Sequence, residues 1–301
     1  MEYEKQTADV ALDMLRFDAE AIERALPGYL PQIDPRTGDL LAAMEHSLEG
    51  GKRLRGVLVM RAAATFDADP QQVIPTACAF EMLHAATLIH DDLPCIDDSD
   101  LRRGRASAHV AFDEHTALLA GDALIIAAFE NLARQGELTG HSTAIRVIAE
   151  FASATGASGL IGGEQADIIG ESLEPDLDLL RYIHVNKTAR LICSACRAGA
   201  ILAGASEEMI ERISEYSMAL GLLFQVTDDI LDVVGDEEVL GKPTGADADA
   251  GKQTYPDAIG LAGAREEARR LADEVAEIAQ QLPGQREFWR ALPELVVARE
   301  K

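Results

Sequence analysis

Residues 84 to 105 read HAATLIHDDLPCIDDSDLRRGR and gather carboxylates at a density that calls for a physical reason. Asp91, Asp92, Asp97, Asp98 and Asp100 fall within ten positions, followed at once by Arg102, Arg103 and Arg105. Crowded carboxylates repel one another, and an adjoining apolar helix adds a desolvation cost to each charge. A hard divalent cation with oxygen ligands relieves both, and the arginines then suit a phosphate bound to it. One such cluster is also what a solvated acidic turn at a helix end looks like. A second cluster shifts the balance. Residues 224 to 236 read FQVTDDILDVVGD, with Asp228 and Asp232 four apart on one helical face and Asp229 beside them. In the first cluster Pro94 interrupts the helix, so Asp91 and Asp97 converge by a bend. Two acidic clusters facing each other suit magnesium, which prefers carboxylates plus substrate phosphates to a closed protein cage.

Cations stand out in a chain whose formal net charge is −25. The stretch GGKRLRG, residues 50 to 56, sets Lys52, Arg53 and Arg55 at the start of an apolar helix, where backbone N–H groups also favour a diphosphate. Lys187 and Thr188 sit in the middle of a helical run, and a lysine bounded by apolar residues is costly unless it meets an anion. Lys242 and Lys252 belong to a segment, 235 to 257, long enough to act as a lid. His84 and His90 lie six apart on the apolar helix, not at the spacing of a metal pair, and read as core groups on pattern alone. Cys193 and Cys196 form a CxxC inside an apolar helix; with no partner ligands in the sequence, this reads as packing.

The elements that must hold these residues are helical. Hydrophobic residues make up 48% of the 301 and aromatics only 5%, an aliphatic composition that favours packed helices over strands. Apolar spacing predicts helices over 5–26 (stopped by Pro27-Gly28), 40–48, 57–66, 73–93, 116–134, 141–158 and 207–234, then two more divided at Pro283-Gly284. No alternating strand pattern and no linker interrupt them, so the expectation is one all-α domain over 1–301. The acidity argues against nucleic acid and anionic membrane surfaces as partners. No apolar stretch reads as a membrane span without polar interruption, and the N-terminus carries no apolar signal core. With four cysteines and no disulfide framework, the expected location is cytoplasmic.

Taken in order, GGKRLR, LIHDDLPCIDDSDLRRG, AGDAL at 120–124, NKTA at 186–189, FQVTDDILD, GKPTGAD and GKQTYP make the chain resemble the trans-isoprenyl diphosphate synthases, the farnesyl and geranylgeranyl diphosphate synthase family. The resemblance implies the isoprenoid synthase fold, a single helical bundle around a central cavity, commonly a homodimer. It implies three magnesium ions per site, held by Asp91, Asp97, Asp228 and Asp232, with Asp92 and Asp229 in support. It gives Lys52, Arg55, His84 and Arg103 to isopentenyl diphosphate. Arg102, Lys187, Thr188, Gln225 and Lys242 go to the allylic diphosphate, with Lys252 closing over it. Asp91, Asp92, Asp97, Asp228, Lys187 and Lys242 are then the catalytic set. Three departures stand out. Gly56 replaces a usual proline, which should loosen that turn. Glu164 replaces a usual glutamine, with Asp167 retained. Ala86 takes a place where farnesyl synthases often carry a bulky aromatic. Ala86 and Thr87 lie about one helical turn before Asp91, so a small residue there predicts a deep cavity and geranylgeranyl over farnesyl diphosphate. A terpene cyclase admits one diphosphate and has no need of GGKRLR. A non-catalytic subunit should have lost aspartates from one motif, and both are intact here.

Overall fold

Breakers and caps in the chain divide an alanine-rich sequence into the helices seen in the computed structural model, which describes residues 2–234 and 251–298. The first half holds α1 (Glu2–Tyr29), α2 (Leu40–Leu48), α3 (Leu54–Thr65), α4 (Ile74–Asp91), α5 (Ala108–Ala111), α6 (Glu114–Arg134), α7 (Gly136–Thr139) and α8 (His141–Thr155). The second holds α9 (Leu160–Gly170), α10 (Leu177–Ile183), a π-turn (His184–Ala189), α11 (Arg190–Leu202), α12 (Glu207–Val234), α13 (Tyr255–Ala279) and α14 (Arg286–Val297). Side-chain caps begin several of them: Asp113 accepts from the Thr116 N–H at 2.7 Å, and Asp176 from the Asp178 N–H at 2.8 Å. The predicted stop at Pro27-Gly28 falls inside α1, which continues to Tyr29; a proline in a last turn removes only its own N–H bond.

Helix α4 is the axis of the bundle. It is buried on nearly every side (Ala77, Cys78, Phe80, Met82, Ala85, Ala86), as a helix apolar all round should be. Helices α3 and α6 pack along it, and α11 lies on α3, α8 and α12. Glycine makes the closest approach possible: a Cβ on Gly199 of α11 would stand 2.2 Å from the Val59 carbonyl oxygen of α3. The CxxC cysteines are buried in α11 with free thiols, as packing residues.

The expectation on membrane spans needs correction, while that of an all-α domain holds but for one short ribbon: Leu101–Arg102 and Arg105–Ala106 (β1 and β2) pair antiparallel, with Arg102 opposite Arg105. Arg103 and Gly104 between them both have positive φ, 55° and 74°, as a two-residue hairpin turn requires. Two-residue strands are too short to show an alternating pattern. Helical segments apolar and long enough to cross a membrane are also present by length and composition: Pro70–Asp91, Glu114–Thr139 and His141–Gly170. Single polar residues do not interrupt an average taken over eighteen positions. The most apolar window of the first is 78% buried inside the chain, but those of the other two are only 44% and 39% buried. Leu118, Leu119 and Ile126 of α6 and Ile145 of α8 are accordingly exposed.

Candidate active site

Helix α4 delivers the first aspartates to the end of the bundle, and the backbone after it folds back. The Asp97 N–H donates to the Asp91 carbonyl at 2.8 Å, and the Asp98 and Ser99 N–H groups donate to Leu93 and Asp92. Asp98 takes φ 48° to complete the bend. Asp91 and Asp97 thus converge through a turn, as Pro94 led one to expect. Asp92 does something else. It is buried, and its Oδ1 accepts from the Nε of Arg102 at 2.9 Å, which fixes that arginine on the β-ribbon. On α12, the Asp229 Oδ2 accepts the Tyr255 N–H at 2.9 Å and lies 3.6 Å from His184 Nε2. Asp229 therefore anchors the start of α13. Asp228 is half-buried and within electrostatic reach of Arg55, while Asp232 is buried.

Among the described residues no three His, Cys, Asp or Glu side chains close into a cage for a metal ion. The donor set nevertheless fits magnesium held jointly with a ligand. Burial first, and then the Glu164 carboxylate, pushes Asp91 up to about 7, with Asp97 adding to the repulsion. A divalent cation is the group that would relieve that repulsion.

One basic pocket forms where α3, α4 and the ribbon meet. Arg53 opens α3 in the left-handed region (φ 54°), buried, with its Nε donating to Glu23 Oε2 at 2.6 Å. Its guanidinium lies 3.9 Å from Glu81 Oε2, and Glu81 Oε1 accepts the Gly56 N–H at 2.8 Å. Gly56 therefore tightens its turn, contrary to expectation, since a proline there would have no N–H to offer Glu81. Gly51 leaves room for both guanidinium groups: a Cβ on it would stand 2.7 Å from Arg53 Nη1 and 2.9 Å from Arg103 Nη1 and would push those side-chain ends aside. Burial, then Arg55, Arg103, Arg102 and Arg53, hold His84 well below the ordinary histidine range, so it is neutral. Burial likewise lowers Arg55, whose Nε has no hydrogen-bond partner among the described residues. Arg55, His84 and Arg103 are brought together as predicted, with Lys52 exposed beside them.

Across the site, the π-turn carries Lys187 and Thr188. One extra residue in a helical turn changes which side chains face inward, and such turns recur at functional sites. Thr188 Oγ1 donates to Gln225 Oε1 at 2.8 Å, joining two predicted residues across α12. Lys187 Nζ lies 2.6 Å from Asp167 Oδ2 and 2.8 Å from Glu164 Oε2. Burial opposes its charge, but those carboxylates outweigh burial and raise its pKa. Lys252 Nζ donates to Asp97 Oδ1 at 3.1 Å, and Gln253, bonded to the Asp176 N–H and the Gly170 carbonyl, pins the backbone beside it. Lys242 lies outside the described residues, as does most of the expected lid. Glu81 and Asp167 were left out of the predicted set. A charge in an otherwise apolar α4, three residues before His84, was the signal for the first.

Gly163 of α9 sets the height of the lysine: a Cβ there would stand 2.4 Å from the Lys187 backbone nitrogen and 2.9 Å from the Asn186 carbonyl carbon. Gly163→Ala should displace the π-turn and lower kcat by about 10²-fold, with the circular dichroism unchanged. Gly28→Ala, with nothing within 4 Å of the added atom, is the control. Equal activities for the two variants would remove the claim.

Comparison with known proteins bears on this geometry. The polyprenyl synthetase family model matches residues 38–287. The chain belongs to the polyprenyl synthetase family. This polyprenyl synthetase is a prenyltransferase, and it is 43% identical over 274 residues to geranylgeranyl pyrophosphate synthase 9, chloroplastic, of Arabidopsis thaliana, covering 89% of this chain and 75% of that one. Its fold is similar to an FPP/GFPP synthase from Zymomonas mobilis, with TM-score 0.85, 32% identity and coverage of 96% and 99%. It is also similar to a geranyltransferase from Helicobacter pylori complexed with magnesium and isoprenyl diphosphate, with TM-score 0.82, 29% identity and 96% coverage of each chain. The all-α isoprenoid synthase architecture expected from the motifs is the one present.

Proposed function

We propose that this polyprenyl synthetase condenses isopentenyl diphosphate with an allylic diphosphate and releases geranylgeranyl diphosphate in preference to farnesyl diphosphate. The observation that carries the reading is the presence of two separate sets of diphosphate-binding groups flanking the aspartates. Arg55, His84 and Arg103 form one, with a buried arginine donor left over; Lys187, Thr188 and Gln225 form the other. Chain elongation needs two diphosphates held at once, whereas cyclisation needs one.

Asp91, Asp97, Asp228 and Asp232 would hold magnesium, three ions in this proposal, which when bound supplies positive charge to the departing pyrophosphate. Lys187 and Lys252 add fixed charge at the same leaving group, and Thr188 and Gln225 orient it. Arg102 is held in place for this by Asp92. The allylic C–O bond breaks to leave a delocalised cation and pyrophosphate; Lys52, Arg55 and Arg103 bind the other diphosphate, so that its double bond then attacks C1 of that cation. The proton lost from the new chain passes to the released pyrophosphate. Neutral His84 donates a hydrogen bond without adding charge near the cation.

Ala86 is fully buried and small, and Thr87 spends its hydroxyl on the His84 carbonyl at 2.9 Å. Neither bars a long product. Beyond them Phe80, Phe151 and Phe129 meet edge to face, with centroids 5.0 and 5.3 Å apart, as a deeper floor. Ala86→Tyr should shorten the main product by one five-carbon unit or more. The assay is labelled isopentenyl diphosphate with each allylic primer and magnesium, followed by chromatography of the dephosphorylated alcohols. An unchanged product distribution would remove the Ala86 argument, and no incorporation at all would remove the function. We further propose a homodimer, with Leu118, Leu119, Ile126 and Ile145 covered by a second copy, and a cytoplasmic location.

A further inference from the structure

Lys187 is held by more negative charge than it needs. Asp167 at 2.6 Å neutralises it, yet Glu164 stands at 2.8 Å from the same ammonium. The two carboxylates are three residues apart on α9, so they share a face. Both are mostly buried, with side-chain exposures of 14% for Glu164 and 11% for Asp167. Gly163 lets α9 approach the backbone of the π-turn closely, which brings the root of the lysine side chain up against the helix that carries both carboxylates. The group as a whole carries one net negative charge, at the place assigned to an anionic diphosphate. Glu164 is also the charge that acts most strongly on Asp91.

An ammonium locked between two carboxylates repels a bare diphosphate. It accepts one whose charge a cation has already reduced. We propose that Glu164 is a positioning residue that holds Lys187 and makes the allylic pocket selective for the magnesium-bound diphosphate over the free anion. The proposal rests on the assignment of Lys187 to the allylic diphosphate. Glu164 acts through the lysine, not on the reacting atoms.

The probe is inorganic pyrophosphate, titrated calorimetrically into the full chain with magnesium and with chelator. In chelator, Glu164→Gln should bind pyrophosphate about tenfold more tightly than the unaltered chain, as expected when the Lys187 ammonium is freed of one of the two carboxylates that offset its charge. With magnesium saturating, the two should agree within about twofold. In steady state at limiting magnesium, Glu164→Gln should lower KM for the allylic substrate and leave KM for isopentenyl diphosphate unchanged. In the Lys187→Met background, adding Glu164→Gln should improve binding in chelator by no more than about twofold, since the glutamate acts mainly by holding that lysine. Unchanged binding in chelator would overturn the proposal. So would weaker binding in magnesium, which would make Glu164 a cation ligand, or a parallel change in both KM values, which would mark general damage. Because binding is read without turnover, a chain that binds as expected but elongates nothing would refute the condensation and leave this inference standing.

Discussion

Asp91→Asn and Asp228→Asn should each lower kcat by about 10³-fold, ~4 kcal/mol of lost transition-state stabilisation, while the helical content stays unchanged. The amide keeps the shape of the carboxylate and loses the charge that would hold a divalent cation. For Asp91 the same change should stabilise the metal-free protein. Burial and Glu164 raise its pKa from 3.8 to about 7. Between those values the folded state binds more protons than the unfolded chain, so this group makes stability fall as pH rises through that window. Above about 7 both states are ionised and the loss is complete. Denaturant melts of the metal-free protein between pH 4 and pH 8, a span set by those two values, should show the decline for the unaltered chain and a flatter course for Asp91→Asn. Magnesium should remove the difference by stabilising the ionised form. A more active Asp91→Asn, or one whose melt falls with pH as steeply, would contradict the assignment.

The two aspartate pairs show what the sequence could reveal and where it stopped. Composition, spacing and Pro94 were enough to expect helices delivering carboxylates to one place, and Asp91 and Asp97 do meet by a bend. Adjacent residues on a helix point about 100° apart, however, so one Asp-Asp pair cannot send both members to the same site. Asp92 binds Arg102 and Asp229 binds the Tyr255 N–H. A doubled aspartate here pairs one group near the site with one that braces the scaffold. Which member does which depends on what packs behind the helix, information that lies ten residues away for Asp92 and 26 away for Asp229. The π-turn was equally hidden. HVNKTA scans as ordinary helix, and only the approach of Gly163 and the Thr188–Gln225 bond show how far it is wound out of register. Glu81 was visible as a charge in an apolar run, but its role needs Arg53 in a left-handed conformation, which side-chain periodicity does not encode.

At the other end of the bundle, buried charge serves the fold and not the chemistry. Arg61 of α3 donates through two nitrogens to Asp18 of α1, with side-chain exposures of only 9% and 1%. The remaining nitrogen reaches Gln285 at 3.2 Å, and the guanidinium lies 6.0 Å from the centre of the Phe288 ring. Trp289 Nε1 donates to Thr65 and Tyr216 donates to the Trp289 carbonyl, so α1, α3, α12 and α14 are tied at one node. Asp18→Ala would leave a guanidinium buried without its counter-charge, a loss of about 3–5 kcal/mol and a Tm lower by roughly 6–15 °C for a chain of this size. Replacing both members, Asp18→Leu with Arg61→Met, should recover most of that loss, because the expense lies in the stranded charge and not in the absence of the pair. The exposed pair Arg146–Glu207 is the contrast: Glu207→Ala should cost under about 1 kcal/mol. Tyr216 stands twelve residues from Asp228 along α12, about 18 Å, so kcat of Asp18→Ala measured well below its Tm should match that of the unaltered chain. A small Tm change for Asp18→Ala, or a double variant no more stable than the single one, would show that the node is not what joins the terminal helices to the bundle.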